Sequence, residues 1–192
     1  MGIKEISDGE KVTAKLNQAL INTGKYTKET SKALQEYANS MQKKVAFDDE
    51  SIIAAEASFA AYGLEQKQIE ELTKVTADLA TAKGLDLASA ADLVAKSVGS
   101  STNAMARYGI SIEGAAGSNE RIQAALKGLD SLYGGQAEAF GKTLPGQMAI
   151  FKNEAMNLAG TFTSFLMPAF QKGMEVANGL LKSLSTIVTG KH

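Results

Sequence analysis

Asp48, Asp49 and Glu50 stand in a row, Glu56 sits in the apolar run Ile52-Ile53-Ala54-Ala55-Glu56-Ala57, and Gly135 to Thr143 reads GQAEAFGKT. These are the residues whose types and spacing come nearest to chemistry. Three consecutive acids suggest a hard cation, because Mg2+ and Ca2+ take oxygen ligands. No EF-hand spacing surrounds them. Acids in the first turn of a helix also offset the positive end of its dipole, so the trio reads as a helix start. A carboxyl such as Glu56 can act as an acid or base when a second carboxyl faces it. The sequence sets no second one apart, and Glu56 reads as the polar side of an amphipathic helix. GQAEAFGKT resembles a phosphate loop, but five residues separate Gly135 from Gly141 where that motif has four. The segment before it reads as helix, not as the strand the motif requires.

Other chemistry is excluded by composition. There is no Cys, which removes thiol nucleophiles, disulfides and thiolate-bound metal. The single His is His192, the last residue, so a His general base or triad is not expected. Twenty Lys and Arg balance 21 Asp and Glu, with the lysines dispersed, so no nucleic-acid surface is expected. The start, MGIKEISDGEK, is charged and lacks the apolar core of a secretory signal. Ser7 lies one position beyond the myristoylation pattern. The expectation is a protein without catalytic residues, cofactor or bound metal.

The elements that would position any site are helices. Of the 192 residues 30 are Ala and only Pro145 and Pro168 are Pro, a composition that favours helix and close helix–helix seams. No two-residue alternation marks a strand. Val12, Leu16, Ala19 and Thr23 form a first stripe that Gly24 ends, and Leu34, Tyr37, Met41 and Val45 form a second. Both lie in a polar segment, so residues 1–46 are expected to form a helical arm.

From Phe47 the pattern sharpens. Ile52, Ala55, Phe59 and Tyr62 recur at helical spacing, followed by Leu72, Val75, Leu79 and Ala82, and then by Leu87, Ala91, Val94 and Val98 behind the N-cap Asp86. Gly63-Leu64, Gly84-Leu85 and Gly109-Ile110 each predict a left-handed stop whose apolar second residue folds back on the helix just ended. Gly99 is read as another stop, and Thr102 to Tyr108 as a short turn. Ser118 caps a helix carrying Ile122, Leu126, Leu129 and Tyr133, which Gly134-Gly135 breaks. Residues 47–143 thus read as a compact multi-helix domain.

Residues 144–192, opened by Leu144-Pro145-Gly146, differ in kind. Met148, Phe151, Ala155, Leu158, Phe162, Phe165 and Ala169 alternate in steps of three and four, the a/d spacing of a coiled-coil seam. Phe170, Met174, Ala177, Leu181, Leu184 and Val188 resume the alternation in a shifted phase, so a break belongs near Pro168. The expected architecture is all-α. Short helices joined by Gly-terminated corners lead into a longer, heptad-bearing hairpin or kinked helix that self-associates. Ala155 to Gln171 is an uncharged run, but it holds Asn157, Thr161, Thr163, Ser164 and Pro168 and falls short of the roughly 20 apolar residues of a membrane span.

Several segments resemble phage tail tape-measure proteins. Gly84-Leu85-Asp86-Leu87 with Ala88-Ser89-Ala90-Ala91 looks like a helical corner of that family. Asn103 to Ile110 looks like its segment of small residues followed by R-Y-G-I. Gly134-Gly135-Gln136-Ala137-Glu138-Ala139 with Lys142-Thr143 looks like its F-G-G-Q-A-E-A and K-T segment, with Tyr133 where a Phe is common. Gly146, Phe151-Lys152-Asn153 and Leu166-Met167-Pro168 follow in the same order, so the resemblance spans residues 50–170. Members of the family are usually far longer. The resemblance implies a virion structural protein of a phage or prophage, lodged in the tail-tube lumen after assembly in the host cytoplasm. It also implies a part in setting tail length, with tail tube protein, assembly chaperones and tail tip proteins as partners beside further copies of itself. Two other functions fit the residues alone: a free-standing helical binding or assembly-chaperone module, and a membrane-active helical protein using 155–188.

Overall fold

The computed structural model describes the backbone of residues 2–161, 172–173 and 175–185, and the side chains of 8–158, 172–173 and 175–185. Every regular element among them is a helix: α1 (Gly2–Asn22), α2 (Lys28–Gln42), α3 (Asp49–Ala60), α4 (Gln66–Lys83), α5 (Leu87–Gly99), a 3-10 turn (Ala104–Tyr108), α6 (Asn119–Tyr133), α7 (Gln136–Gly141) and α8 (Leu144–Thr161). The all-α architecture follows from the Ala-rich, Pro-poor composition and the 3.6-residue periodicity.

The helix starts follow local chemistry. Thr27, Asp48, Asp86 and Ser118 are extended N-cap residues whose side chains accept from the backbone N–H three positions on. Two bonds from Ser89 hold the exposed Asp86 carboxyl below the usual range. Glu65 and Gln68 close a reciprocal capping box on α4. Pro145 sits in the first turn of α8, where its missing N–H costs nothing, and the Thr143 hydroxyl accepts from the Gly146 N–H at 3.2 Å.

The helix ends are equally local. At Gly84 the chain turns left-handed (φ 65°), and the Leu85 N–H donates back to the Ala80 carbonyl at 2.9 Å, completing a Schellman stop. Gly24 ends α1 the same way, with the Lys25 N–H on the Leu20 carbonyl at 2.8 Å. Gly99, the last residue of α5, is glycine for a different reason. It is still helical, and a Cβ there would run into the ring of Tyr62.

The described contacts divide the chain into two compact units, Ser7–Glu154 and, separately, Met1–Ile6 with Ala155–His192. In the first, α3 packs on α5, α2 and α4, while α4 also packs on α5, α6 and α7. The core runs from Leu16, Leu20, Leu34 and Ala38 through Ile52, Phe59, Leu72 and Leu79 to Val94, Met105, Ile122 and Leu129, all fully buried or nearly so. The expected division at 1–46, 47–143 and 144–192 does not match these units. Leu16, Leu20, Leu34, Met41 and Val45 are core residues, so what reads as a polar arm is a layer of the domain. Its apolar residues are few but stand in helical register, and Ser31 and Gln42 are buried beside them. In the second unit residues 2–6, 155–161, 172–173 and 175–185 are helical, and Val176, Leu180, Leu181 and Leu184 are exposed.

Arg121 fastens the segment between α5 and α6. It is 5% exposed, and its guanidinium donates to three backbone carbonyls: Ser97 at 2.6 Å, Thr102 at 3.1 Å and Gly114 at 3.2 Å. Carbonyls in the last turn of α5 and in the segment after it thus find donors inside the protein.

Candidate functional site

The seam expected from Met148 onward begins as an exposed face. In the larger unit Met148 is 65% and Phe151 73% exposed, while Ile150 between them is buried. Leu144, four residues before Met148, is 75% exposed and extends the same spacing backwards. Leu144 marks a boundary in the sequence, and its step of four to Met148 is visible there as well. In the other unit Ala155, Leu158, Leu181 and Leu184 are exposed as well. Phe162, Phe165, Phe170, Met174 and Val188, with the expected break near Pro168, lie outside the described residues. Among the described residues no helix is long and apolar enough to cross a membrane.

GQAEAFGKT forms the turn into α7 and the helix itself. Its opening amides are occupied by the chain's own acid: the Asp78 carboxylate accepts from the Ala137 N–H at 2.9 Å and from the Gly135 N–H at 3.3 Å. Asp78 is buried, and desolvation raises its pKa against the downward pull of those two amides. A phosphate group would have to displace this carboxylate.

Beside it a cleft of about 290 Å3 is lined by Tyr37, Lys44, Lys74, Asp78, Asp130 and Glu138, among others. Its walls come from α2, α4, α6 and α7, and it mixes two ammonium groups with three carboxyls. Asp48, Asp49 and Glu50 lie at the start of α3, with Asp48 accepting from the Ser51 N–H at 2.8 Å. No group of three or more His, Cys, Asp or Glu is arranged to hold a metal ion among the described residues.

Glu56 departs most from expectation. It is not on the polar side of α3 but wholly inside, with both carboxyl oxygens buried and lacking a hydrogen-bond partner. Ile52 and Phe59, four residues before it and three after, lie on the same helix face and are also fully buried. Burial, and then the nearby Glu70 on α4, push its pKa up to about 9, so the side chain is a neutral acid at neutral pH. Tyr37 on α2 feels the same surroundings. Its phenol is pushed up to about 12 by burial and by Glu70, Glu56, Glu138 and Glu71.

No family model matches the chain, and neither the curated proteins nor the solved structures contain a match to it.

Proposed function

We propose that this chain is a helical, non-catalytic segment of a phage tail tape-measure protein, and that it self-associates through the apolar face opening α8. The observation that carries the reading is the exposure of Leu144, Met148 and Phe151 at steps of four and three. Large side chains left together in water at coiled-coil spacing favour a partner surface of the same kind. The ordered segments that resemble tape-measure proteins supply the biological setting, and the all-helical fold is compatible with it. Within that setting the partners are further copies, the tail tube protein, assembly chaperones and tip proteins, and the place is the tail-tube lumen.

Two measurements test the reading at separate levels. Sedimentation analysis of the chain is expected to show concentration-dependent oligomers that Phe151→Glu and Met148→Glu reduce to monomers, with unchanged helicity. A monomeric wild-type chain removes the self-association claim. In-frame deletions in the helical stretch continuing from residue 148, made in the parent gene, are expected to shorten tails by about 1.5 Å per residue. Tails of unchanged length remove the ruler role.

A further inference from the structure

Glu56 lies where three helices meet. It projects from α3, which packs on α2 and α4, and Tyr37 of α2 and Glu70 of α4 interact with it electrostatically. Neither of its oxygens has a hydrogen-bond partner, and the side chain has no exposed surface. The charged group that acts on it is another carboxylate, so nothing there favours its ionised form. On α5, which also packs against α3, Asp92 accepts instead from Ser58, two residues along and on another side of the helix. Thr76 of α4 likewise buries a hydroxyl without a partner.

The helices around Glu56 are not equally anchored. α3 and α4 each pack on one another and on α5, and α4 continues onto α6 and α7. The main packing of α2 is on α3 and α4, and Ser31 of α2 donates to Asn17 of α1. It is bounded by the left-handed Gly24 turn on one side and by residues 43–48 on the other. One flank of α2, at Tyr37, Ser40 and Met41, already borders the open cleft. α2 is therefore the helix that can lift while the packing of α3 on α5 and of α4 on α6 stays in place.

We propose that Glu56 makes the seating of α2 proton-linked: the closed domain holds this carboxyl neutral, and release of α2 lets it ionise. The device goes beyond the tail reading and does not depend on it. The sign follows from linkage. An acid whose value is raised in the closed state stabilises that state fully below its ordinary value of 4.5 and loses the effect as pH rises toward about 9. Within that window each pH unit favours opening about tenfold, so opening is about a thousandfold easier at about pH 8 than at about pH 5.

Hydrogen exchange tests this, comparing wild type with Glu56→Gln, which keeps shape and polarity but cannot ionise. The ratio of opening in wild type to that in the variant cancels the intrinsic pH dependence of amide exchange. For peptides from 28–42 it is expected to climb about tenfold per pH unit between about pH 5 and about pH 8. A flat ratio overturns the proposal, because Glu56 is then ionised in the closed state or balanced by a bound cation. An equal climb in peptides from α5 and α6 also overturns it, because the linkage then belongs to global unfolding. Infrared titration of wild type needs no variant. It should show a protonated carboxyl C=O band at neutral pH that disappears on alkalinisation, and a spectrum without that band overturns the proposal.

Discussion

The Nε of Arg121 donates to the carbonyl oxygen of Ser97 at 2.6 Å, across 24 residues of chain, near the point where α5 ends. The same guanidinium holds Thr102 and Gly114, so one side chain at the start of α6 fixes both ends of the segment leading to it.

Removing that side chain strands three carbonyls around a buried site. Arg121→Met is expected to lower unfolding free energy by about 2–4 kcal/mol. Arg121→Lys should cost less, since an ammonium can still reach one or two of the oxygens. Urea denaturation measures both, and proteolysis should cut first between residues 100 and 118.

The closeness of Gly99 to Tyr62 makes a prediction against the usual trend. Within a helix, Gly→Ala ordinarily stabilises by about 1 kcal/mol. At Gly99 the new methyl meets the inner edge of the Tyr62 ring, so Gly99→Ala is expected to destabilise by about 1–3 kcal/mol. Adding Tyr62→Ala should make the Gly99→Ala step favourable again, which thermal melts of the four variants would show as strong coupling.

Asp78 separates two kinds of contribution. Asp78→Ala leaves the Gly135 and Ala137 amides without their acceptor and is expected to cost about 1–3 kcal/mol. Asp78→Asn keeps one acceptor oxygen and removes a charge that burial opposes, so its cost should be well below that of alanine. Equal losses in denaturation would show that the second oxygen or the charge is indispensable.

How far the sequence could be read depended on the range of the interaction. Asp48, Asp86 and Ser118 were legible as caps because the bond each makes ends three residues away. Gly84-Leu85 was legible because its stop closes within one turn. The buried positions of Glu56, Asp78 and Arg121 were not. Glu56 lies on the stripe of Ile52 and Phe59, and Asp78 on that of Val75 and Leu79, so their inward direction was available from spacing. What no spacing contains is the partner: Asp78 meets residues 57 and 59 positions away, and Arg121 meets carbonyls that any residue type could supply. The seam showed the reverse. Its spacing was plain, but whether Met148 and Phe151 face a neighbour within the fold or the solvent depends on what the rest of the chain leaves uncovered.

The bonds to Arg121 and Asp78 also impose an order in time. A ribosome delivers Ser97, Thr102 and Gly114 before the side chain that will hold them. It delivers Asp78 long before the amides of Gly135 and Ala137 that it will receive. Until residue 121 has emerged, the carbonyls of Ser97, Thr102 and Gly114 have only water to satisfy them, and the Asp78 carboxylate waits until residue 137. Its middle helices can therefore collapse early, but the corner before α6 closes only when α6 itself arrives, and Asp78 is satisfied only when the last short helix does.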